Sequence, residues 1–102
     1  MHITVSARHD VRLVDALRTR AHDVIDGLGH LGHRVLNGTA IFDLVAGSAW
    51  VELRLNLTGG QLLVATAAAS DHRTALDLVA DKVRRQVERA HSRTLAHRHA
   101  LG

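Results

Sequence analysis

The chain has 102 residues, of which 46% are hydrophobic and 23% charged, and it contains neither cysteine nor proline. This composition fills one hydrophobic core and excludes a disordered chain and a protein of several domains. The lack of cysteine excludes disulfide scaffolds, thiolate zinc sites and thiol nucleophiles. The formal net charge is +3 with all nine histidines neutral, which permits an anionic partner without requiring one. No signal peptide and no apolar stretch of about 20 residues is present, so we expect a cytoplasmic protein without a membrane partner.

The first third of the chain predicts a strand followed by a helix. Apolar residues alternate with polar ones over 2–7, which is the pattern of a strand that is buried on one face. From Val11 the apolar residues recur at helical spacing, and Gly27 and Gly29 interrupt the pattern. Residues 30–38 are interpreted as the loop that returns the chain to the sheet.

Three strands and a long helix are predicted for the remainder. Residues 39–46 are β-prone, and Gly47 and Ser48 are placed in the following turn. Residues 50–57 alternate strictly between polar and aliphatic side chains, which predicts a third strand with one buried face. Ser70 and Asp71 predict the cap of a second helix over about 71–96, with a short frayed tail over 97–102.

Two glycines between the third and fourth strands predict a tight hairpin. Gly59 and Gly60 fit a two-residue turn of type I′, which would fix the register of a fourth strand over 61–69. With that register the opposed pairs would be Leu57 and Leu62, Leu55 and Val64, Leu53 and Thr66, and Val51 and Ala68. The open sheet face would carry Trp50, Glu52, Arg54, Asn56, Leu63, Ala65 and Ala67.

The order of elements predicts a two-layer α+β fold. A right-handed crossover places the first helix on the face where the second also lies. We therefore expect one domain over 1–102, with a four-stranded sheet and both helices packed on one face.

The charged residues of the second helix separate into strips on a helical wheel. The basic stripe holds Lys82, Arg85, Arg89 and Arg93, and the acidic strip holds Asp77, Asp81 and Glu88, with Arg84 beside it. A solvated surface with i,i+4 ion pairs is the simpler interpretation on composition alone. A row of four cations along about 17 Å of helix, without an interleaved carboxylate, instead suits a phosphate backbone.

Other chemistry has little support in the sequence. His30 and His33 lie among glycines, and His97 and His99 lie near the carboxyl terminus, without a third ligand nearby, so we expect no metal and no cofactor. No nucleophile elbow or phosphate-cradling glycine loop occurs, so enzymatic function is not expected. The two aromatic residues are too few for base stacking, and any nucleic-acid contact should be mainly to phosphate.

Two motifs are more specific: LTGGQL over 57–62 and ALDLVADKVRRQV over 75–87. They resemble the strand-Gly-Gly-strand turn and the helix motif A-x-D-x-x-x-D-K-(aliphatic)-x-R-Q-(aliphatic) of the ribosome hibernation-promoting factors, also called ribosome-associated inhibitors or sigma-factor modulation proteins. Residues 11–18 add a weaker match to the first-helix pattern V-x-(aliphatic)-x-x-A-L-R. The resemblance implies the short, single-domain form of the family.

This resemblance implies a β-α-β-β-β-α fold and a translation inhibitor of dormant or stressed cells. Family members bind the small ribosomal subunit between head and platform, over the mRNA path and the tRNA anticodon sites. The implied partner is therefore the phosphate backbone of 16S-type rRNA. The implied RNA-binding residues are Lys82 and Arg85, with Arg89 and Arg93 continuing the stripe and Arg84 and Arg18 completing the candidate set.

Two other interpretations stay open. A diverged member without ribosome affinity would self-associate weakly through the open sheet face, and the presence of one lysine favours it, because family members are usually lysine-rich. A general RNA or DNA binder has less support, since the fold alone names no partner.

Overall fold

The chain forms a four-stranded sheet with two helices on one face. The computed structural model describes residues 1–31 and 35–101, with side chains over 1–31 and 35–90. The elements are β1 (His2–Ala7), α1 (Asp15–Leu28), β2 (Val35–Val45), β3 (Ser48–Leu57), β4 (Leu62–Ala69) and α2 (His72–Leu101). The strand order is β1-β2-β3-β4, with β1 parallel to β2 and the other neighbours antiparallel. The predicted α+β order of elements is confirmed. No helix in the described ranges is long and apolar enough to cross a membrane.

One hydrophobic core lies between the sheet and the helices. Its largest fully buried side chains come from both layers: Ile25 from α1, Phe42 from β2, Val51, Leu53, Leu55 and Leu57 from β3, and Leu76, Val79, Val83 and Val87 from α2. The alternation predicted for β3 is confirmed, because every second residue faces this core. The predicted cap of α2 is also confirmed, since the Thr74 backbone N–H donates to Asp71 Oδ1 at 2.8 Å.

The β3–β4 register differs by one residue from the predicted one. Leu55 pairs with Leu63 and not with Val64. The Leu57 N–H donates to the Gln61 carbonyl at 2.8 Å, so the loop holds three residues, 58–60, instead of two. Gly59 and Gly60 both have positive φ, 89° and 82°, so the glycines do serve the turn.

This one-residue shift exchanges the two faces of β4. Leu63, Ala65 and Ala67, which were predicted on the open face, are buried under the helices. Leu62 and Val64, which were predicted in the core, are 51% and 40% exposed on the open face. The predicted open face is therefore correct for β3 and wrong for β4.

Several element boundaries also differ from prediction. α1 begins at Asp15 instead of Val11, because a turn over 8–11 with positive φ at His9 and Asp10 precedes it. Gly27 lies inside α1 and does not end it. β2 begins at Val35 and so includes part of the segment predicted as a loop, of which residues 32–34 lie outside the described ranges.

The hairpin between β2 and β3 and the end of α2 differ as well. The turn residues are Ala46 and Gly47, with φ of 50° and 78°, and not Gly47 and Ser48, because Val45 pairs with Ser48. α2 continues as a helix to Leu101, through most of the segment predicted as a frayed tail.

Candidate nucleic-acid interface

One flank of α2 lies along the free edge of β4. Lys82 Nζ donates to the Thr66 carbonyl at 2.8 Å. One turn further along the helix, Gln86 Nε2 donates to the Val64 carbonyl at 3.3 Å. Lys82, predicted as an RNA contact, therefore already has a backbone partner, although an ammonium group retains two further donors.

The opposite flank of α2 faces α1. The Arg20 guanidinium of α1 donates to Asp77 Oδ1 through Nη2 at 2.8 Å and Nε at 3.2 Å. Arg84 Nη1 lies 3.7 Å from Asp81 Oδ1. The Arg84 side chain also lines a groove between the helices, together with Asp23 of α1. The acidic strip thus includes a residue, Asp77, that forms an ion pair between the two helices. Arg84 lies on a different side of α2 from Lys82.

Arg85 and Arg89 form the part of the basic stripe that remains available. Both side chains are exposed, and within the described side chains neither forms an ion pair. They are one helical turn apart, which is about 6 Å along the axis. Arg93 continues the stripe in the sequence, and its side chain lies outside the described residues.

Arg18 lies at the other edge of the sheet. Its Nη1 donates to the Val5 carbonyl of β1 at 3.2 Å. Since β1 and β4 are the two outer strands, three strand spacings, or about 14 Å, separate these edges. The structure therefore brings Lys82, Arg85 and Arg89 onto one flank, and it does not bring Arg18 or Arg84 to them.

The open sheet face carries a mixed surface. Its rows across the strands include Thr39, Arg54 and Val64, and Asp43, Trp50 and Ala68. Trp50 is half-buried, and the Arg54 guanidinium forms an ion pair with Glu52 on the same strand. Leu62 and Val64 of β4 are exposed apolar side chains on this face.

A histidine–aspartate cluster, which no sequence pattern predicted, lies at one end of the sheet. Asp43 is buried, and its Oδ1 accepts a hydrogen bond from His9 Nδ1 at 2.6 Å and another from the Leu44 N–H at 2.7 Å. These donors, the His9 ring first, hold the pKa of Asp43 below its ordinary value. His72 Nε2 donates to the Asp43 carbonyl at 2.7 Å, so the cluster joins the turn after β1, β2 and the first residue of α2.

The described side chains form no candidate metal site. Over residues 1–31 and 35–90, no three histidine, aspartate or glutamate side chains are arranged to hold an ion. His33, His97 and His99, which were weighed as ligands in the sequence, lie outside the described side chains.

A family model described as sigma 54 modulation protein / S30EA ribosomal protein matches residues 3–94 of the chain. The chain belongs to this family. No curated protein matches the sequence. The resemblance inferred from the hairpin and the second helix is therefore confirmed at the level of the family.

Two solved structures show the same fold as this family member. The N-terminal domain of Protein Y from Thermus thermophilus has a TM-score of 0.75 at 23% identity, covering 87% of this chain and 98% of that one. A ribosomal subunit interface protein from Coxiella burnetii has a TM-score of 0.76 at 21% identity, covering 90% and 99%.

The matched helix motif can now be divided by what its residues contact. Its Lys and Gln positions, Lys82 and Gln86, hold the edge of β4. Its Arg position, Arg85, is exposed to solvent. Of these three motif positions, Lys and Gln thus contact the protein itself, whereas Arg is available to a partner.

Proposed function

We propose that the protein is a non-enzymatic translation inhibitor, which binds the small ribosomal subunit and occupies its mRNA and tRNA decoding region in dormant or stressed cells. The family match over residues 3–94 is the observation that carries this proposal. The similar structure from Coxiella burnetii is that of a ribosomal subunit interface protein, which supports the same class of partner.

Arg85 and Arg89 are the proposed centre of the RNA contact. Because neither has an ion pair among the described side chains, binding a phosphate through them breaks no existing charge pair. Arg93 would extend the contact along the helix, and Lys82 would join it through its remaining donors. Arg84 and Arg18 are proposed as peripheral contacts, because their own partners hold them away from this flank.

The test is co-sedimentation with purified small subunits at several salt concentrations, with inhibition of in vitro translation measured alongside. Each phosphate contact contributes roughly 0.7–0.9 to the slope of log affinity against log salt, so the R85A/R89A variant should lose about 1.4–1.8 of that slope. Its folding should be nearly unchanged, because exposed substitutions shift stability by less than about 0.5 kcal/mol.

The matched control is R12A/R73A, which removes the same charge from two other exposed arginines. Neither residue forms an ion pair within the described side chains. This control should keep nearly the wild-type slope. Equal losses in the two variants would place the RNA on another surface, and wild-type protein found only in the ribosome-free fraction at low salt would refute the function itself.

A second candidate function rests on the open face. Exposed Leu62 and Val64 lie on the same sheet face as half-buried Trp50, which is opposite Ala68 at the other end of β4, and a second copy could cover these apolar side chains. If this face is the interface, Trp50→Ala abolishes self-association and leaves ribosome binding nearly intact. A wild-type protein that stays monomeric by light scattering at high concentration removes this candidate.

A further inference from the structure

β4 is an outer strand whose even-numbered residues direct their backbone groups away from the sheet. The bond from the Leu57 N–H to the Gln61 carbonyl, with Leu55 opposite Leu63, points the odd-numbered residues toward β3. The backbone N–H and C=O groups of Leu62, Val64, Thr66 and Ala68 therefore lie along the free edge.

This strand lacks the features that usually keep an edge from pairing with another chain. Its sequence, LLVATAAA, has no charged residue and no proline, and its pairing with β3 shows no bulge. Outer strands of this kind add further strands readily, since their unpaired backbone groups form a template.

Side chains from the helices cover this edge instead. Lys82 and Gln86 donate to the Thr66 and Val64 carbonyls, which are the two central acceptors of the free edge. At the other end of the sheet, Arg18 of α1 donates to the Val5 carbonyl of β1. Each helix thus places a cationic side chain over the outer strand beside it.

We propose that Lys82 and Gln86 close the β4 edge against strand addition, and that the partner taken by this edge without them is a second copy of the chain, paired antiparallel through β4. In that arrangement Val64 lies opposite Thr66 of the second copy, so free backbone groups meet free backbone groups. An uncharged strand also pairs with its own copy without placing like charges opposite each other.

The same arrangement brings the two α2 helices together on one side of the extended sheet. The dyad of an antiparallel strand pair is normal to the sheet, so the Arg85 and Arg89 side chains of the two copies would approach each other. Their repulsion opposes pairing independently of the edge bonds. The test must therefore separate charge from hydrogen bonding.

The experiment compares wild-type protein with K82A/Q86A by sedimentation equilibrium in the absence of RNA. Removing both donors should tighten dimerisation by roughly tenfold or more, since two central edge carbonyls lose their partners. In K82A/Q86A, hydrogen exchange should show that the Val64 and Thr66 amides become protected as protein concentration rises. Because no ribosome is present, the result is independent of the proposed function.

Three further variants separate the explanations. R85A/R89A removes more positive charge but keeps both edge bonds, so it should dimerise far more weakly than K82A/Q86A. K82R retains donors at the edge and should do the same. Adding Val64→Lys to K82A/Q86A places a charge on the edge strand and should restore the monomer.

Four outcomes would overturn the proposal. One is a K82A/Q86A protein that stays monomeric with unchanged amide exchange in β4. Another is an R85A/R89A protein that dimerises as tightly as K82A/Q86A, because charge repulsion would then protect the edge. A third is a dimer that survives Val64→Lys. If K82A/Q86A does not fold, Gln86→Leu frees the Val64 carbonyl without changing the charge and should also tighten dimerisation. The fourth outcome is a Gln86→Leu protein that stays monomeric.

Discussion

Gly38 of β2 marks the place where α1 packs closely against the sheet. A Cβ atom added at Gly38 would overlap Ile25 Cγ2 of α1 and lie 3.0 Å from Leu55 Cδ2 of β3. Both neighbours are fully buried, so neither side chain has solvent to move into. Gly38→Ala should therefore destabilise the fold by about 1–3 kcal/mol, as insertions of a methyl group into a packed core do.

Thermal and urea denaturation followed by circular dichroism measure this loss. For a domain of about 100 residues, 1 kcal/mol shifts Tm by roughly 4–8 °C, so a decrease of several degrees is expected. The matched control is Gly27→Ala in α1, where an added Cβ meets nothing within 4 Å. That variant should be more stable than wild type by about 0.5–1 kcal/mol, because alanine is the better helix former.

A double-mutant cycle with Ile25→Ala identifies the overlapping group. Ile25→Ala alone creates a cavity and destabilises the core, but it also removes the atom that the Gly38→Ala methyl would overlap. Gly38→Ala should then cause a much smaller loss than it does in the wild-type background. An equal loss in both backgrounds, or a stabilising Gly38→Ala, would refute this account of the contact between α1 and β2.

Two further predictions concern a turn and the pH dependence of stability. Ala46 has a φ of 50°, so Ala46→Asn should stabilise the β2–β3 hairpin by about 0.5–1 kcal/mol in urea denaturation, because asparagine tolerates this conformation better. The pKa of Asp43 is lowered by the hydrogen bond from His9, and the pKa of Asp71 by the hydrogen bonds from Thr74. Both carboxylates therefore stabilise the fold above their unfolded pKa, which is about 3.9. This stabilisation is lost as pH falls through the lower pKa values of the folded state. The stability difference between wild type and D43N/D71N should consequently shrink as pH falls below about 4; a difference that grows in that range would contradict the sign.

Sequence periodicity predicted β3 well and β4 poorly for a definite reason. In β3 aliphatic and polar residues alternate strictly, so only one face can be buried. In β4 apolar residues occupy both faces, since Leu62 and Leu63 are adjacent and alanines fill most of the later positions. The register was therefore left to the turn, and a pair of glycines fits a three-residue loop as well as a two-residue one.

Glycine shows the same limit of local reasoning. Gly27 and Gly38 were both interpreted as interruptions of regular structure, yet one lies within α1 and the other within β2. Gly38 is explained by Ile25, which is thirteen residues away in sequence and directly above it in space. The contact between His9 and Asp43, separated by 34 positions, was equally invisible to a search for local motifs.

The helical wheel identified the exposed basic side of α2, but it could not identify which cations have partners. Lys82 and Arg85 are close on the wheel, yet Lys82 reaches the β4 edge whereas Arg85 is exposed. That difference depends on where α2 crosses the sheet, which is set by core packing of residues such as Val79 and Val83 against β3 and β4.

The partners of these cations bear directly on how tightly an anion can bind. Among the described residues, a phosphate that recruits Arg85 or Arg89 breaks no ion pair, whereas one that takes Arg20 from Asp77 must break an ion pair between the helices. Drawing Lys82 fully away from Thr66 would leave an edge carbonyl without its donor. The binding free energy should consequently be concentrated in Arg85 and Arg89, and losing either should weaken RNA binding more than losing Arg84 or Arg18, although all four carry the same charge.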